Sequence, residues 1–155
     1  MTSLMDLVLE QAILPRVTAP SRRQALQIIA ESLAGASGAD ARAAFEAVLL
    51  RERLSGTGIG EGAALPHARV PGLTRPVAAF ARLDPAIDFD ALDQRPADLV
   101  FMLLAPIERG GDHLKALARI SRFLRRAGVR EKLREARGLE DLRAVLSTPL
   151  HSDAA

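Results

Sequence analysis

Apolar residues recur at helical spacing near the start of the chain, where Ala25, Ile28, Ile29 and Leu33 share one face of "APSRRQALQIIAESLAG". Ser21, with Gln24 three residues on, forms a capping-box pattern at the start of this helix, and Gly35 suits its C-terminal stop. A second helix is predicted over 40–54, with Phe45, Val48 and Leu49 inward. Arg51 and Arg53 fall in its last turn, where cations complement the dipole, and Gly56 ends it. The pattern then changes. "PVAAFARL" and "DLVFMLLAP" are short apolar runs bounded by Pro and Asp, and both read as buried strands. Between them "DPAIDFDALDQRPAD" is an acidic loop with a short strand around Ile87. Asp112 suits the cap of a helix through Ala127, with Leu114, Leu117, Ile120, Ser121 and Leu124 on one stripe and Gly128 after it. "VREKLREARG" and "LEDLRAVL" predict two shorter helices, and "STPLHSDAA" a frayed tail. Helices before, between and after apolar strands make one α/β domain over residues 1–147, with a flexible tail over 148–155.

Composition narrows the function classes. The chain of 155 residues is long enough for a proper core, and 48% hydrophobic with 26% charged residues excludes wholesale disorder. It has no cysteine, which removes disulfides, thiolate zinc sites and thiol catalysis. The isoelectric point near 9.9 invites a nucleic-acid reading. The formal net charge is only +2, however, and aromatics are 3% with no Trp or Tyr, so stacking platforms for single strands are missing. A nucleic-acid partner is therefore not expected. "MTSLMDLVLEQAILPR" has no basic n-region and carries Asp6 and Glu10 inside its apolar stretch, so it fails as a signal peptide. No apolar run approaches the roughly 20 residues that span a bilayer. A cytoplasmic protein is expected.

The candidate chemistry centres on "GIGEGAALPHARVPG". Gly58-x-Gly60-x-x-Ala63 nominally matches a dinucleotide fingerprint, but a helix precedes it and Pro66 would interrupt a helix opening on it. No Gly-Lys-Ser/Thr comes after it either, so a nucleotide P-loop is absent. The glycines read either as a flexible helix-to-strand connection or as bare amides, Gly58 and Gly60 among them, gathered near an anion. His67 is a surface or core histidine on one reading. On the other it is an imidazole held out on a stretch stiffened by Pro66, with a ring nitrogen available as nucleophile or base. His113, just behind "ERGGD", is a solvated first-turn residue or a donor to an anion at a helix start. Arg51 complements the dipole or balances phosphate charge. Two histidines and an arginine around a glycine turn suit phosphate better than metal, since metal-ligand spacings are missing. Ser55 and Thr57 flank Gly56 without forming a nucleophile elbow, and Asp88-x-Asp90-x-x-Asp93 lacks the glycine and glutamate of a calcium loop. Arg119, Arg122 and Arg126 share one side of the later helix, as a solvated face or a docking surface.

"LLRERLSGTGIGEGAALPHARV", "AIDFDALDQRPADLVFMLLAP" and "HLKALARISRFL" resemble the type-2 enzyme IIA domains of the bacterial phosphoenolpyruvate phosphotransferase system, the fructose/mannitol class. The resemblance covers about residues 4–147, and in length and N-terminal helix it is nearest the nitrogen-regulatory branch. It implies an α/β sandwich, a small mixed sheet flanked by helices. It implies that His67 accepts a phosphoryl group on Nε2 from a small histidine-phosphocarrier protein, with His113 and Arg51 as active-site partners and Thr57 beside the site. It implies no metal, nucleotide or other cofactor. Two residues depart from the family pattern: Gly56 replaces a serine, and Ala68 replaces the glycine after the histidine, which limits backbone freedom there. The expected role is a regulatory phosphocarrier whose state is read by proteins such as sensor kinases or potassium-transport components. The alternative is a sugar-transport IIA that passes phosphate to a separate fructose- or mannitol-type IIB. A third reading is a non-exchanging binding module resting on Arg119, Arg122, Arg125 and Arg126.

Overall fold

The computed structural model describes residues 3–108 and 110–149. Its organising element is a strand at Ala97–Pro106 (β6), buried at every position but Asp98. A run so uniformly apolar needs cover on both faces, and the layers supply it. Val100, Met102 and Leu104 pack toward helices Arg22–Ser37 (α1) and Ala41–Leu54 (α2). Leu99, Phe101 and Leu103 pack toward Gly110–Leu124 (α3), Ala127–Glu135 (α4) and Leu139–Leu146 (α5). On that second side Phe101 stacks between Phe80 and Phe123, at centroid distances of 5.0 and 6.1 Å.

On one side of β6 lies Val77–Ile87 (β5), antiparallel to it, and beyond that Val8–Val17 (β1), parallel to β5. Along its other side run two short parallel segments in succession, Ala63–Ala64 (β3) and His67–Val70 (β4). Gly58–Gly60 (β2) pairs antiparallel with β3. The result is a mixed six-stranded sheet between two helical layers, the α/β sandwich expected.

Several expectations are corrected in detail. The first segment, assigned no element from its pattern, forms a turn at Leu4–Asp6 capped by Ser3 and then β1, the edge strand paired with β5. Its alternation is broken by Glu10, Gln11 and Pro15, which hides the strand period. The Ser21 cap is present: its hydroxyl accepts from the Gln24 amide at 3.3 Å and donates to Gln24 Oε1 at 2.7 Å. The helix nevertheless passes through Gly35 to Ser37, because the left-handed cap falls at Gly38, φ 87°. Asp40 caps α2 through a 2.8 Å bond from the Ala43 amide. Ile87 does belong to a strand, but as the end of β5 opposite Ala97. Helix α3 begins at Gly110, so Asp112 sits in its first turn, and it stops at Leu124 rather than Ala127. Arg126 then opens α4, which contains Gly128 as an ordinary helical residue. Leu114 is 65% exposed, and Ala116 and Phe123 fill the inward stripe beside Ile120 and Leu124. The predicted helices in 129–146 are α4 and α5, with α4 starting two residues early. The tail expected over 148–155 lies, from residue 150 on, outside the described residues.

Gly56 is explained by packing. A Cβ there would run into the Phe89 carbonyl and the Asp90 side chain, so the loop at 88–91 lies directly against its backbone. Gly35, by contrast, has nothing within 4 Å of a Cβ. Gly56→Ser is therefore expected to destabilise the protein by about 1–3 kcal/mol, through overpacking. Gly35→Ala should stabilise it by up to roughly 1 kcal/mol, through helix propensity. Urea unfolding of the two variants checks this; a Gly56→Ser midpoint equal to the parent's would contradict it.

Candidate functional site

The site is built where α2 ends and β4 begins. Ala44, Val48 and Glu52 recur every four residues on the buried stripe of α2, so a carboxylate occupies an inward position and is only 5% exposed. Glu52 is met by three donors. Its Oε1 accepts from the Thr57 hydroxyl at 2.6 Å; its Oε2 accepts from the Thr57 amide at 3.0 Å and from Arg22 at 3.2 Å. Arg22 also reaches Asp90 at 3.0 Å, tying the start of α1 to the loop that covers Gly56. Thr57 in turn accepts through its carbonyl from the Leu65 amide at 3.0 Å. Glu52 therefore holds the strand that leads into the histidine, a role that sequence reasoning missed. The fourfold spacing through Ala44 and Val48 is the signal that could have found it.

The glycine run is neither a flexible connection nor a helix start. It is the β2–β3 hairpin, turning through Gly60 (φ 95°), Glu61 (φ 58°) and Gly62 (φ 77°). Asp93 accepts from the Glu61 amide at 2.8 Å, and Arg134 donates to the Glu61 carbonyl at 2.7 Å, so the tip is clasped from both sides. The Gly58 amide is not bare either, because it donates to the Phe89 carbonyl at 3.0 Å.

After β3 the chain steps through Leu65 and Pro66 before pairing with β6 again. Leu103 donates to the Pro66 carbonyl at 3.0 Å, and His67 then pairs opposite Leu103. The half-buried His67 ring places Nδ1 2.8 Å from the Leu65 carbonyl. A carbonyl can only accept, so Nδ1 carries the proton and Nε2 keeps its lone pair. Ala68 points the other way into the core beside α1 and α2, in ordinary extended backbone, so it imposes no strain there.

His113, in the first turn of α3, is 9% exposed, and its ring centroid lies 5.3 Å from that of His67 with a 52° tilt. Its Nδ1 accepts from Arg69 Nε at 3.3 Å, and its Nε2 is buried without a partner. Arg69 is a second residue that sequence reasoning missed. It stands two residues from His67, on the same face of β4, a relation visible only once the segment is known to be a strand. Both imidazoles are held below the usual value. For His67 burial is the largest cause, with the Arg51 charge acting in the same direction and the Leu65 bond and Glu52 opposing. For His113 burial leads again, followed by the charges of His67 and Arg69.

Arg51 and His67 line two adjoining cavities. One, of about 360 Å³, includes Thr57, Gly58, Leu117 and Ser121; the other, of about 350 Å³, includes Leu54, Arg69 and His113. Arg51 is steadied by a 2.7 Å bond from its guanidinium to the Ser55 carbonyl. The structure thus gathers Arg51, His67 and His113, with Thr57 and Gly58 at the margin, the Thr57 hydroxyl being committed to Glu52. Gly60 does not line either cavity. A larger groove of about 620 Å³ between α1 and α2 contains neither histidine.

Other candidate groups are occupied elsewhere. Asp90 pairs with Arg22, and Asp93 accepts two backbone amides, so the aspartates of the acidic loop hold the fold rather than a shared ion. Among the described residues no cluster of three or more His, Asp or Glu could hold a metal ion. Arg119 donates to Asp6 and the Ser3 carbonyl, pinning the N-terminal turn, while Arg122 and Arg125 are exposed. No helix among the described residues is long and apolar enough to cross a membrane.

Comparison with known proteins places the chain in a family. Residues 6–148 match the family described as phosphoenolpyruvate-dependent sugar phosphotransferase system, EIIA 2. The chain is 47% identical over 146 residues to a nitrogen regulatory protein of Bradyrhizobium diazoefficiens, covering 94% of this chain and 95% of that one. It is 45% identical over 108 residues to the fructose-specific EIIA component of Haloferax volcanii, covering 70% of each. The crystal structure of nitrogen regulatory protein IIA-Ntr from Neisseria meningitidis superposes with a TM-score of 0.84 at 29% identity, covering 92% of this chain and 98% of that one. With almost its whole length matched in sequence and in fold, the chain belongs to the type-2 EIIA family of the phosphoenolpyruvate-dependent phosphotransferase system.

Proposed function

We propose that this chain is a phosphohistidine carrier of the nitrogen-regulatory kind, charged on His67 Nε2 by a histidine-phosphocarrier protein and read by partner proteins according to its state. The observation that carries this reading is the 2.8 Å bond from His67 Nδ1 to the Leu65 carbonyl, which leaves the Nε2 lone pair as the nucleophile beside Arg51 and His113. In the transfer the donor's N–P bond breaks and a bond forms between phosphorus and His67 Nε2, while Nδ1 keeps its proton. The step needs in-line placement and charge balance more than covalent machinery, and Arg51 supplies positive charge in the same cavity. A protein donor fits the rim, where Leu50, Leu54, Ile59 and Leu114 are exposed near the histidines. Sensor kinases and potassium-transport components are the expected readers.

Support for the nitrogen-regulatory role is the near full-length relationship to the Bradyrhizobium protein and the superposition on the Neisseria one. A sugar-transport role is favoured by one observation, the relationship to the fructose-specific component over 70% of the chain. Purified fructose- or mannitol-type IIB separates the two, since a sugar-transport IIA discharges to it and a purely regulatory one does not.

Intact-mass spectrometry after incubation with phosphoenolpyruvate, enzyme I and the cognate histidine-phosphocarrier tests the main reading. One acid-labile phosphoryl group is expected on the parent protein and none on His67→Ala. Absence of the gain on the parent, or its persistence on the variant, would refute the assignment.

The lowered imidazole values also have a consequence. A neutral ring is the nucleophilic form, so a His67 midpoint below the usual 6.5 keeps it competent as pH falls toward that value. The folded state then binds fewer protons than the unfolded chain in the window below 6.5. The stability linked to His67 and His113 is therefore full above 6.5 and lost as pH falls through their folded values. An NMR titration should place His67 below 6.5, and Arg51→Gln should move it upward without restoring 6.5, because burial, the larger cause, remains. A parent midpoint at or above 6.5 would contradict this.

A further inference from the structure

We propose that Arg69 is a positioning residue that fixes the proton of His113 on Nε2, so that His113 enters phosphoryl transfer as a hydrogen-bond donor to the group carried by His67. The inference rests on the reading of His67 as the phosphoryl acceptor.

The chemistry of the two partners dictates the tautomer. A guanidinium has only N–H groups to offer and no lone pair, and it stays protonated in proteins. The 3.3 Å approach of Arg69 Nε to His113 Nδ1 therefore requires an unprotonated Nδ1. A neutral imidazole with a bare Nδ1 carries its proton on Nε2. That nitrogen is the one buried side-chain polar atom among the described residues with no partner. A buried donor left unpaired is costly, and proteins seldom keep one without a use. Here the neighbouring ring is His67, 5.3 Å away between centroids, so the oxygens of a phosphoryl group whose phosphorus is bonded to His67 Nε2 come within hydrogen-bond reach of His113.

The two imidazoles are thus held in opposite tautomers by two different partners. The Leu65 carbonyl, an acceptor, puts the His67 proton on Nδ1 and frees Nε2 as the nucleophile. Arg69, a donor, puts the His113 proton on Nε2 and turns that ring into the group that receives the oxygens. Strand β4 supplies both the nucleophile and the residue that orients its neighbour, because positions 67 and 69 share one face. Without Arg69 nothing selects the His113 tautomer. The alternative form would turn a lone pair toward the phosphoryl oxygens and repel them.

Arg69 is exposed, so its replacement should leave the fold intact. Long-range ¹H–¹⁵N NMR of histidine-labelled protein, assigned with His67→Ala, reads each ring nitrogen directly. In the uncharged parent protein His113 should show a protonated Nε2 and a bare Nδ1. Arg69→Met should give a mixture of tautomers, and Arg69→Glu, which offers only acceptors, should shift the proton to Nδ1. Transfer from the phosphorylated histidine-phosphocarrier to His67 should slow by roughly three- to tenfold in Arg69→Met, the scale of one lost hydrogen bond, and further in Arg69→Glu. A parent His113 protonated on Nδ1 would overturn the proposal. So would an Arg69→Met protein with an unchanged tautomer, or one with a changed tautomer and unchanged transfer. A parent protein that takes no phosphoryl group on His67 would overturn the acceptor reading and this inference with it, whereas an unaltered Arg69→Met protein overturns the role of Arg69 alone.

Discussion

The bond from His67 Nδ1 to the carbonyl two residues behind it exists because Leu65 turns its backbone away from β6. The register against β6 is the same through β3 and β4, and the β6 amides of Leu99 and Leu103 go to the Gly62 and Pro66 carbonyls, so Leu65 faces the other side of the segment. Pro66 has no N–H to give to β6, and its carbonyl takes the Leu103 amide in the regular register of His67 opposite Leu103. The Leu65 carbonyl is turned toward the imidazole, while the Leu65 amide is held by Thr57. The outward-facing Leu65 carbonyl, held in place through its amide by Thr57, sets the tautomer of His67.

That arrangement is held from below by a buried carboxylate. Burying Glu52 at 5% exposure carries a desolvation penalty, offset by the Arg22 charge and by two donors from Thr57. Together with Asp90, these residues join α1, α2, the start of β2 and the loop against Gly56. Thr57 beside the site therefore acts as an anchor for the strand rather than as a hydroxyl offered to an anion. Gly56 allows the loop to close over this network, so the residue that departs from the family pattern is matched to its own surroundings.

What was legible in the sequence tracked the strength of each local signal. The β6 run, the span of α2 and the Ser21 cap were visible because period and capping chemistry are local properties, although the buried stripe of α2 is Ala44, Val48 and Glu52, with the expected Phe45 and Leu49 half-buried. Strand β1 was not, since Glu10, Gln11 and Pro15 interrupt its alternation and its partner β5 lies some 70 residues away by the register Val8 to Ala78. The glycine run misled because a hairpin built from Gly58–Gly60 and Ala63–Ala64 offers almost no side chains from which to read a strand period. His67, His113 and Arg51 were named from the sequence and are brought together in space. Glu52 and Arg69 escaped because each resembles a solvated charge until its element is known to face inward or to share the face of β4.

The most direct measurement is the site of the phosphorus–nitrogen bond in the charged protein, read from ³¹P–¹⁵N coupling with histidine-labelled chain. Phosphorus on Nε2 of His67, with Nδ1 still protonated, is the expected result. Phosphorus on Nδ1 would mean that the Leu65 carbonyl does not hold that nitrogen, and would contradict the account of how Leu65 presents the histidine.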